Sequence, residues 1–197
     1  MLGDCRDMES RLRSLGRLCT PWHFESNAVY DRDGELAASG RLLRLRRALT
    51  CTLTFKEPAP GQKKDGIKSR IERETTVQDP HAMDAILRAL GYAPRLRYEK
   101  FRAVWELPQG HVFLDILPFG HFLEIEAEPQ SISDIAQAIG LDPDSAIDKS
   151  YHSLHQSWRR RQGLAPLENF VFDEAQRNLL NTRLGVLPRP QGDIYAD

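Results

Sequence analysis

Charged residues recur at every second position in several stretches of this 197-residue chain. Cations come as Arg44 with Arg46, as Lys56, and as Lys100 with Arg102. Carboxylates come as Glu72 with Glu74, as Asp115, and as Glu124 with Glu126. In an extended strand residues i and i+2 share a face, so each set projects from one side of its strand. The opposite sides are largely apolar: Leu43 and Leu45; Leu53 and Phe55; Phe101, Ala103 and Trp105; Val112, Leu114 and Ile116; Leu123 and Ile125. Two arrangements satisfy this pattern. In one, the charged face is solvated and laced with mixed salt bridges. In the other, the sheet curls so that the charged face lines a cavity. Buried unpaired charge is costly, so such a lining must be wet or filled by a ligand of matched charge. A triphosphate with divalent cations is such a ligand. Guanidinium forks match phosphate oxygens, and carboxylates suit Mg or Mn. No Gly-x-x-x-x-Gly-Lys is present, so a P-loop is not the phosphate cradle.

The elements that must position these residues are legible in outline. A helix is expected over 6–16, with Met8, Leu12 and Leu15 on one face and Gly16 as its stop. Residues 24–31 read as extended and run into the turn Asp31-Arg32-Asp33-Gly34. Strands follow at 41–47 and 50–56, then a polar loop over 58–66 and extended chain over 67–78. Asp79 and Pro80 open a helix whose apolar face is Met83, Ile86, Leu87 and Leu90. Residues 95–107, 111–117 and 121–128 read as a meander of three strands joined by tight turns. Ser131 and Asp134 have capping-box spacing ahead of Ile135 and Ile139. A helix is expected over 144–160, with Ile147, Tyr151, Leu154 and Trp158 on one face. Asp173 and Gln176 open a last helix that ends at Gly185.

Composition narrows the classes. The net charge is −1, with 27 basic and 28 acidic side chains, which disfavours a uniformly basic nucleic-acid binder. The balance hides an asymmetry: residues 1–76 carry 15 basic and 11 acidic side chains, whereas 106–150 carry 9 acidic and 1 basic. No apolar run approaches the roughly 18 residues of a membrane helix. The opening MLGDCRDMES lacks a signal-peptide layout, so a cytoplasmic protein is expected. Cys5, Cys19 and Cys51 have no Cys-x-x-Cys spacing and read as reduced thiols. His152 and His155 lack the i, i+4 spacing of a helical metal site.

The segments, in this order, resemble the CYTH superfamily of class IV adenylyl cyclases, thiamine triphosphatases and inorganic triphosphatases. The resemblance spans roughly residues 6–158. It rests on Asn27-Ala-Val-Tyr30-Asp31, Leu43-Arg44-Leu45-Arg46, Leu53-Thr54-Phe55-Lys56 and Arg70-Ile-Glu72-Arg-Glu74. It continues through Lys100-Phe-Arg102, Asp115, Gly120-His-Phe122-Leu-Glu124-Ile-Glu126 and Lys149-Ser150-Tyr151. It implies an α+β fold: an antiparallel β-barrel, the triphosphate tunnel, with helices packed outside. It implies that Arg44, Arg46, Lys56, Lys100 and Arg102 hold phosphate oxygens. Glu124, Glu126 and Asp115 would hold Mg or Mn, with Glu72 and Glu74 in support. The expected activity is conversion of ATP to cyclic AMP and pyrophosphate. The alternatives are a triphosphatase, and a module that binds triphosphate or polyphosphate without turnover. No catalytic side chain is assigned, and neither nucleic acid nor membrane is an expected partner.

The family's opening strand, Glu-x-Glu-x-Lys, has no counterpart ahead of Gly16. Residues 1–162 are therefore expected to form an N-terminally incomplete tunnel domain, and 163–197 an extension with a helix and tail. A barrel short of one strand leaves edges to cover. The segment Leu164–Phe172, or a second copy of the chain in a homodimer, would cover them. Otherwise 164–197 packs outside as a helical appendage.

Overall fold

The structure, a computed structural model, describes residues 5–59 and 70–187. The loop read over 58–66 and the beginning of the 67–78 stretch fall largely outside the described residues. Helix α1 (Cys5–Leu15) leads into β1 (Arg17–Asp31), a single turn α2 (Glu35–Ala38), then β2 (Leu42–Arg47), β3 (Cys51–Pro58) and β4 (Arg70–Thr76). Helix α3 (Pro80–Ala89) precedes the meander β5 (Ala93–Leu107), β6 (Gly110–Leu117) and β7 (Gly120–Ala127). Helices α4 (Pro129–Ala138), α5 (Tyr151–Arg161) and α6 (Glu174–Leu184) complete the order, with a 3-10 turn at Pro143–Ser145. The strands hydrogen-bond in the order β4-β3-β2-β1-β5-β6-β7. The pairings β1–β2, β2–β3, β3–β4, β5–β6 and β6–β7 are antiparallel. The fold is the expected α+β class, an antiparallel sheet with helices. Among the described residues, no helix is long and apolar enough to cross a membrane.

The described residues divide into two units, one of residues 5–24 with 100–186 and one of residues 25–59 and 70–99 with 187. In the second, the core is Ala28, Tyr30, Leu45, Val77 and Leu87. Asp79 caps α3 by accepting the amides of His81 at 2.9 Å and Ala82 at 3.0 Å, as its position before Pro80 implies. The expected apolar face of α3 is only half right. Leu87 is buried, but Ile86 is 52% and Leu90 60% exposed. Asp84 is buried in their place because it accepts the Tyr30 hydroxyl and the Arg88 Nε. Every residue of β4 is exposed, so this strand lacks the apolar buried face expected of it.

In the first unit, Met8 and Leu12 pack with Ala103, Trp105, Val112, Leu114, Ile135 and Ile139. Gly16 ends α1 where a side chain could not fit, because a Cβ there would strike the backbone carbonyl of Glu106. Two-residue turns join β5–β6 and β6–β7, since Leu107 pairs with Gly110 and Leu117 with Gly120. Phe119, in the second turn, is surrounded by Phe122, His155, Trp158 and Phe170. Phe172 packs on Phe101 and Ile116, on the apolar face of β5 and β6.

Several boundaries differ from expectation. β1 begins at Arg17, well before 24, and α2 follows a turn that reads as plain loop. Asp31 makes that helical turn by accepting the amides of Arg32, Leu36 and Ala37 at 2.7 to 3.0 Å. Helix α4 starts at Pro129 after Glu128, and Ser131 and Asp134 do not form its cap. The helix expected from 144 starts at Tyr151, because Ser150 caps it by accepting the Ser153 amide. Ile147 therefore lies ahead of the helix and is exposed. The Asp173–Gln176 capping box and the left-handed Gly185 are present as expected.

Candidate active site

Each unit carries one charged cluster on the polar side of its strands. In the first unit, β5 supplies Lys100 and Arg102, β6 supplies Asp115, and β7 supplies Glu124. Arg102 sits directly across from Asp115 in the ladder. Its Nε donates to Oδ1 at 2.6 Å and its Nη2 to Oδ2 at 2.5 Å, a two-pronged contact. The same Nη2 reaches Glu124 Oε2 at 2.5 Å. The guanidinium also lies over the Phe113 ring, 4.4 Å from its centroid. Lys100 Nζ donates to Asp115 Oδ2 at 3.2 Å, and the Tyr151 hydroxyl donates to the same oxygen at 2.8 Å.

Asp115 is 0% exposed at its side chain, against 5% for Lys100 and 10% for Arg102. A carboxylate so buried survives ionised only when cations and donors saturate it. Burial pushes the Asp115 carboxyl up, but Lys100, Arg102 and Tyr151 outweigh that and hold it below its ordinary value. Burial, with Asp115 and Glu124 nearby, pushes the Tyr151 phenol far above its usual range, so it remains a donor. Glu126 shares the face of Glu124, is exposed, and pairs in register with His111.

In the other unit the cations are held more loosely. Arg44 donates to the hydroxyls of Tyr98 and Thr54, each at 3.4 Å, and its Nε has no partner among the described residues. Arg46 Nη2 lies 3.3 Å from both oxygens of Glu74. Thr54 donates to Glu74 Oε2 at 2.6 Å, and Lys56 donates to Glu72 Oε1 at 2.5 Å. Both glutamates stand on the exposed β4. The buried amide of Asn27 has no partner on either atom among the described residues.

Alternation thus placed the charged residues on shared faces, and long-range pairing decided their partners. The structure brings Lys100, Arg102, Asp115 and Glu124 together in one cluster, and Arg44, Arg46, Lys56, Glu72 and Glu74 in another. Thr54, Tyr98 and Phe113 join these clusters without having been assigned a role. Thr54 and Tyr98 were visible by parity, since they lie two residues from Lys56 and Lys100. Tyr30 and Asp31 turn out to support the fold, through Asp84 and the α2 turn. Lys149 lies ahead of α5 and is exposed.

The CYTH domain family matches residues 24–151, well over half of the chain. No curated protein matches the chain. Among solved structures, a candidate adenylate cyclase from Vibrio parahaemolyticus is 18% identical, with a TM-score of 0.65 over 78% of this chain and 92% of that one. The PH1012 protein of Pyrococcus horikoshii is 22% identical, with a TM-score of 0.63 over 76% and 92%. A candidate adenylate cyclase from Bacillus halodurans is 16% identical, with a TM-score of 0.57 over 78% and 93%. At these identities the likeness is one of fold. With its matched span of 24–151 containing both charged clusters, the chain belongs to the CYTH domain family.

Proposed function

We propose that the chain binds a triphosphate and acts on it with a divalent cation, in the manner of a class IV adenylyl cyclase. The observation that carries this reading is the buried Lys100–Arg102 pair, held on one face by Asp115. Cations pre-positioned by an acid beneath them are suited to a polyanion, because their orientation is fixed before it arrives. Arg44, in the second unit, is assigned to phosphate on its own geometry: it donates to the hydroxyls of Tyr98 and Thr54 at 3.4 Å, long contacts that a phosphate oxygen would improve. Arg46 and Lys56, on the paired strands β2 and β3, are assigned to phosphate oxygens beside Arg44.

Among the described residues, no three His, Cys, Asp or Glu side chains assemble into a metal cage. Mg and related ions need less than that, since one or two carboxylates plus substrate phosphates commonly hold them. Glu124 and Glu126, two residues apart on one face of β7, fit that requirement, Glu124 through Oε1, since its Oε2 accepts Arg102. Asp115 fits it poorly, because both its oxygens already accept donors. We therefore assign the cation to Glu124 and Glu126, and assign Asp115 to anchoring Lys100 and Arg102. Glu72 and Glu74 would hold Lys56 and Arg46 in place. A bound divalent ion would supply charge neutralisation across phosphate oxygens. In the cyclase reading the ribose 3′-hydroxyl attacks the α-phosphorus and pyrophosphate leaves.

The test is an assay of the full chain with ATP, inorganic triphosphate and thiamine triphosphate, each with Mg and with Mn. Cyclic AMP with pyrophosphate from ATP is the expected result. Released orthophosphate would identify a triphosphatase. Binding without any product would identify a non-catalytic module. Glu126→Ala is expected to abolish turnover while leaving the thermal unfolding curve unchanged. An unchanged rate in that variant would overturn the cation assignment.

A further inference from the structure

Asn27 is 1% exposed, yet neither its Oδ1 nor its Nδ2 has a partner among the described residues. Buried side-chain amides in folded proteins are almost always hydrogen-bonded, because an unmade bond leaves the group's desolvation uncompensated. The ladder shows what stands beside it. Asn27 lies directly across from Arg46 on β2, and Arg46 directly across from Thr52 on β3. Directly paired residues share a face of the sheet, so the three side chains form one row in the second unit. The other face of these strands carries the apolar core, with Ala28 and Leu45. Arg46 Nε and Thr52 Oγ1 are buried as well, and they too have no partner among the described residues. Donors and an acceptor are thus left open together on three adjacent strands.

We propose that Asn27 reads the adenine edge of a nucleoside triphosphate, and so selects a nucleotide over bare triphosphate. The discriminating atom is Oδ1. Arg46 Nε, Asn27 Nδ2 and the Thr52 hydroxyl can all donate, and phosphate oxygens would satisfy the three of them. Oδ1 only accepts, and a fully ionised triphosphate brings it no hydrogen. Turning the amide over changes nothing, since both of its atoms are open. The complete partner is a group with a donor beside an acceptor. Adenine presents its N6 amino group beside N7, a pair that a carboxamide meets with two bonds. A ribose hydroxyl also carries a donor, and a purine nucleotide without the amino group separates sugar from base. The inference rests on the reading of the chain as a triphosphate-binding protein, with Arg46 on phosphate.

The probes are ATP, purine riboside triphosphate, which lacks the 6-amino group, and inorganic triphosphate. Each is titrated calorimetrically into the full chain with Mg. Asn27→Val removes both amide atoms with a side chain that suits a strand. It is expected to weaken ATP binding about tenfold and inorganic triphosphate less than about twofold. Purine riboside triphosphate should bind wild type about tenfold more weakly than ATP, and lose little more in the variant. Without ligand, the thermal midpoint of Asn27→Val should match or exceed that of wild type, because no protein contact of the amide is lost. Asn27→Ala gives the same comparison should Asn27→Val fail to fold. Unchanged ATP binding in the variant overturns the proposal. Equal losses for ATP and inorganic triphosphate overturn it by assigning the amide to phosphate or to structure. Equal losses for ATP and purine riboside triphosphate overturn it by assigning the amide to the sugar. A wild type that binds neither ATP nor inorganic triphosphate overturns the triphosphate reading itself.

Discussion

The two charged clusters solve the same electrostatic problem in opposite ways. Around Asp115, two cations and one carboxylate are buried and close, Glu124 stands 39% exposed at the edge, and a phenol completes the shell. Around Arg44 and Arg46, the cations are half-buried, the acids Glu72 and Glu74 stand on a fully exposed strand, and the guanidinium contacts are longer, at 3.3 to 3.4 Å. Desolvated charges depend on every partner, because a low dielectric magnifies both attraction and abandonment. Solvated charges depend on none in particular, because water and salt substitute for a missing partner. The buried cluster is therefore a fixed, brittle device. The exposed one is an adjustable supply of charge.

The sharpest way to break this contrast is Asp115→Ala. Removing the shared acid leaves Lys100 and Arg102 buried with reduced compensation, at an expected cost of roughly 3–5 kcal/mol. Denaturant unfolding of the variant against wild type would read it. A loss below about 1 kcal/mol, the scale of surface pairs, would erase the distinction between the clusters.

A second test uses acid. The Asp115 carboxyl is held below its ordinary 3.8 in the folded chain. Its contribution to stability is complete above that ordinary value and is lost as pH falls through it toward the depressed folded value. Wild type should lose stability over that window, and Asp115→Asn should lose less there. Equal acid curves would show that the carboxylate is not the group that responds.

The aromatic cluster gives an intermediate effect. His155 is buried among Phe119, Trp158 and Phe170. Burial, helped by Arg159 and His152, holds its pKa below the ordinary 6.5. The unfolded chain then binds the proton more readily, so stability is full above 6.5 and falls as pH drops through it. The thermal midpoint should decline from pH 7.5 to 5.5 in wild type and stay flatter in His155→Phe.

The smallest effect belongs to β4. Glu72→Gln and Glu74→Gln should each cost about 0.2–1 kcal/mol, and less in high salt. Urea titrations at low and high ionic strength would check both. A cost matching Asp115→Ala would make the exposed cluster as brittle as the buried one.

Local signals were legible and distant ones were not. Alternation placed the charged residues on one face, since a two-residue period is set within the strand. The caps at Asp79 and Asp173 were legible because donor and acceptor lie within three residues of each other. The exposure of Ile86 and Leu90 was not, because burial of Asp84 depends on Tyr30, a partner 54 residues away. The Tyr151–Asp115 bond spans 36 residues and left no periodic trace. The start of α5 is not legible in periodicity, because an apolar spacing that includes Ile147 looks helical whether or not the backbone begins there. Only the Ser150 cap marks the true start.

The position of Phe172 bears on how the chain is made. The core of the second unit, from Ala28 to Tyr92, comes off the ribosome as one uninterrupted stretch. A separate apolar cluster of the first unit, Phe101 and Ile116, is completed by Phe172. That step must wait until the segment after α5 has been synthesised. During translation the second unit can bury its apolar surface early, while Phe101 and Ile116 await their last neighbour. The interval in which this apolar surface stands open to chaperones, or to other nascent chains, belongs to the unit that carries Lys100, Arg102 and Asp115.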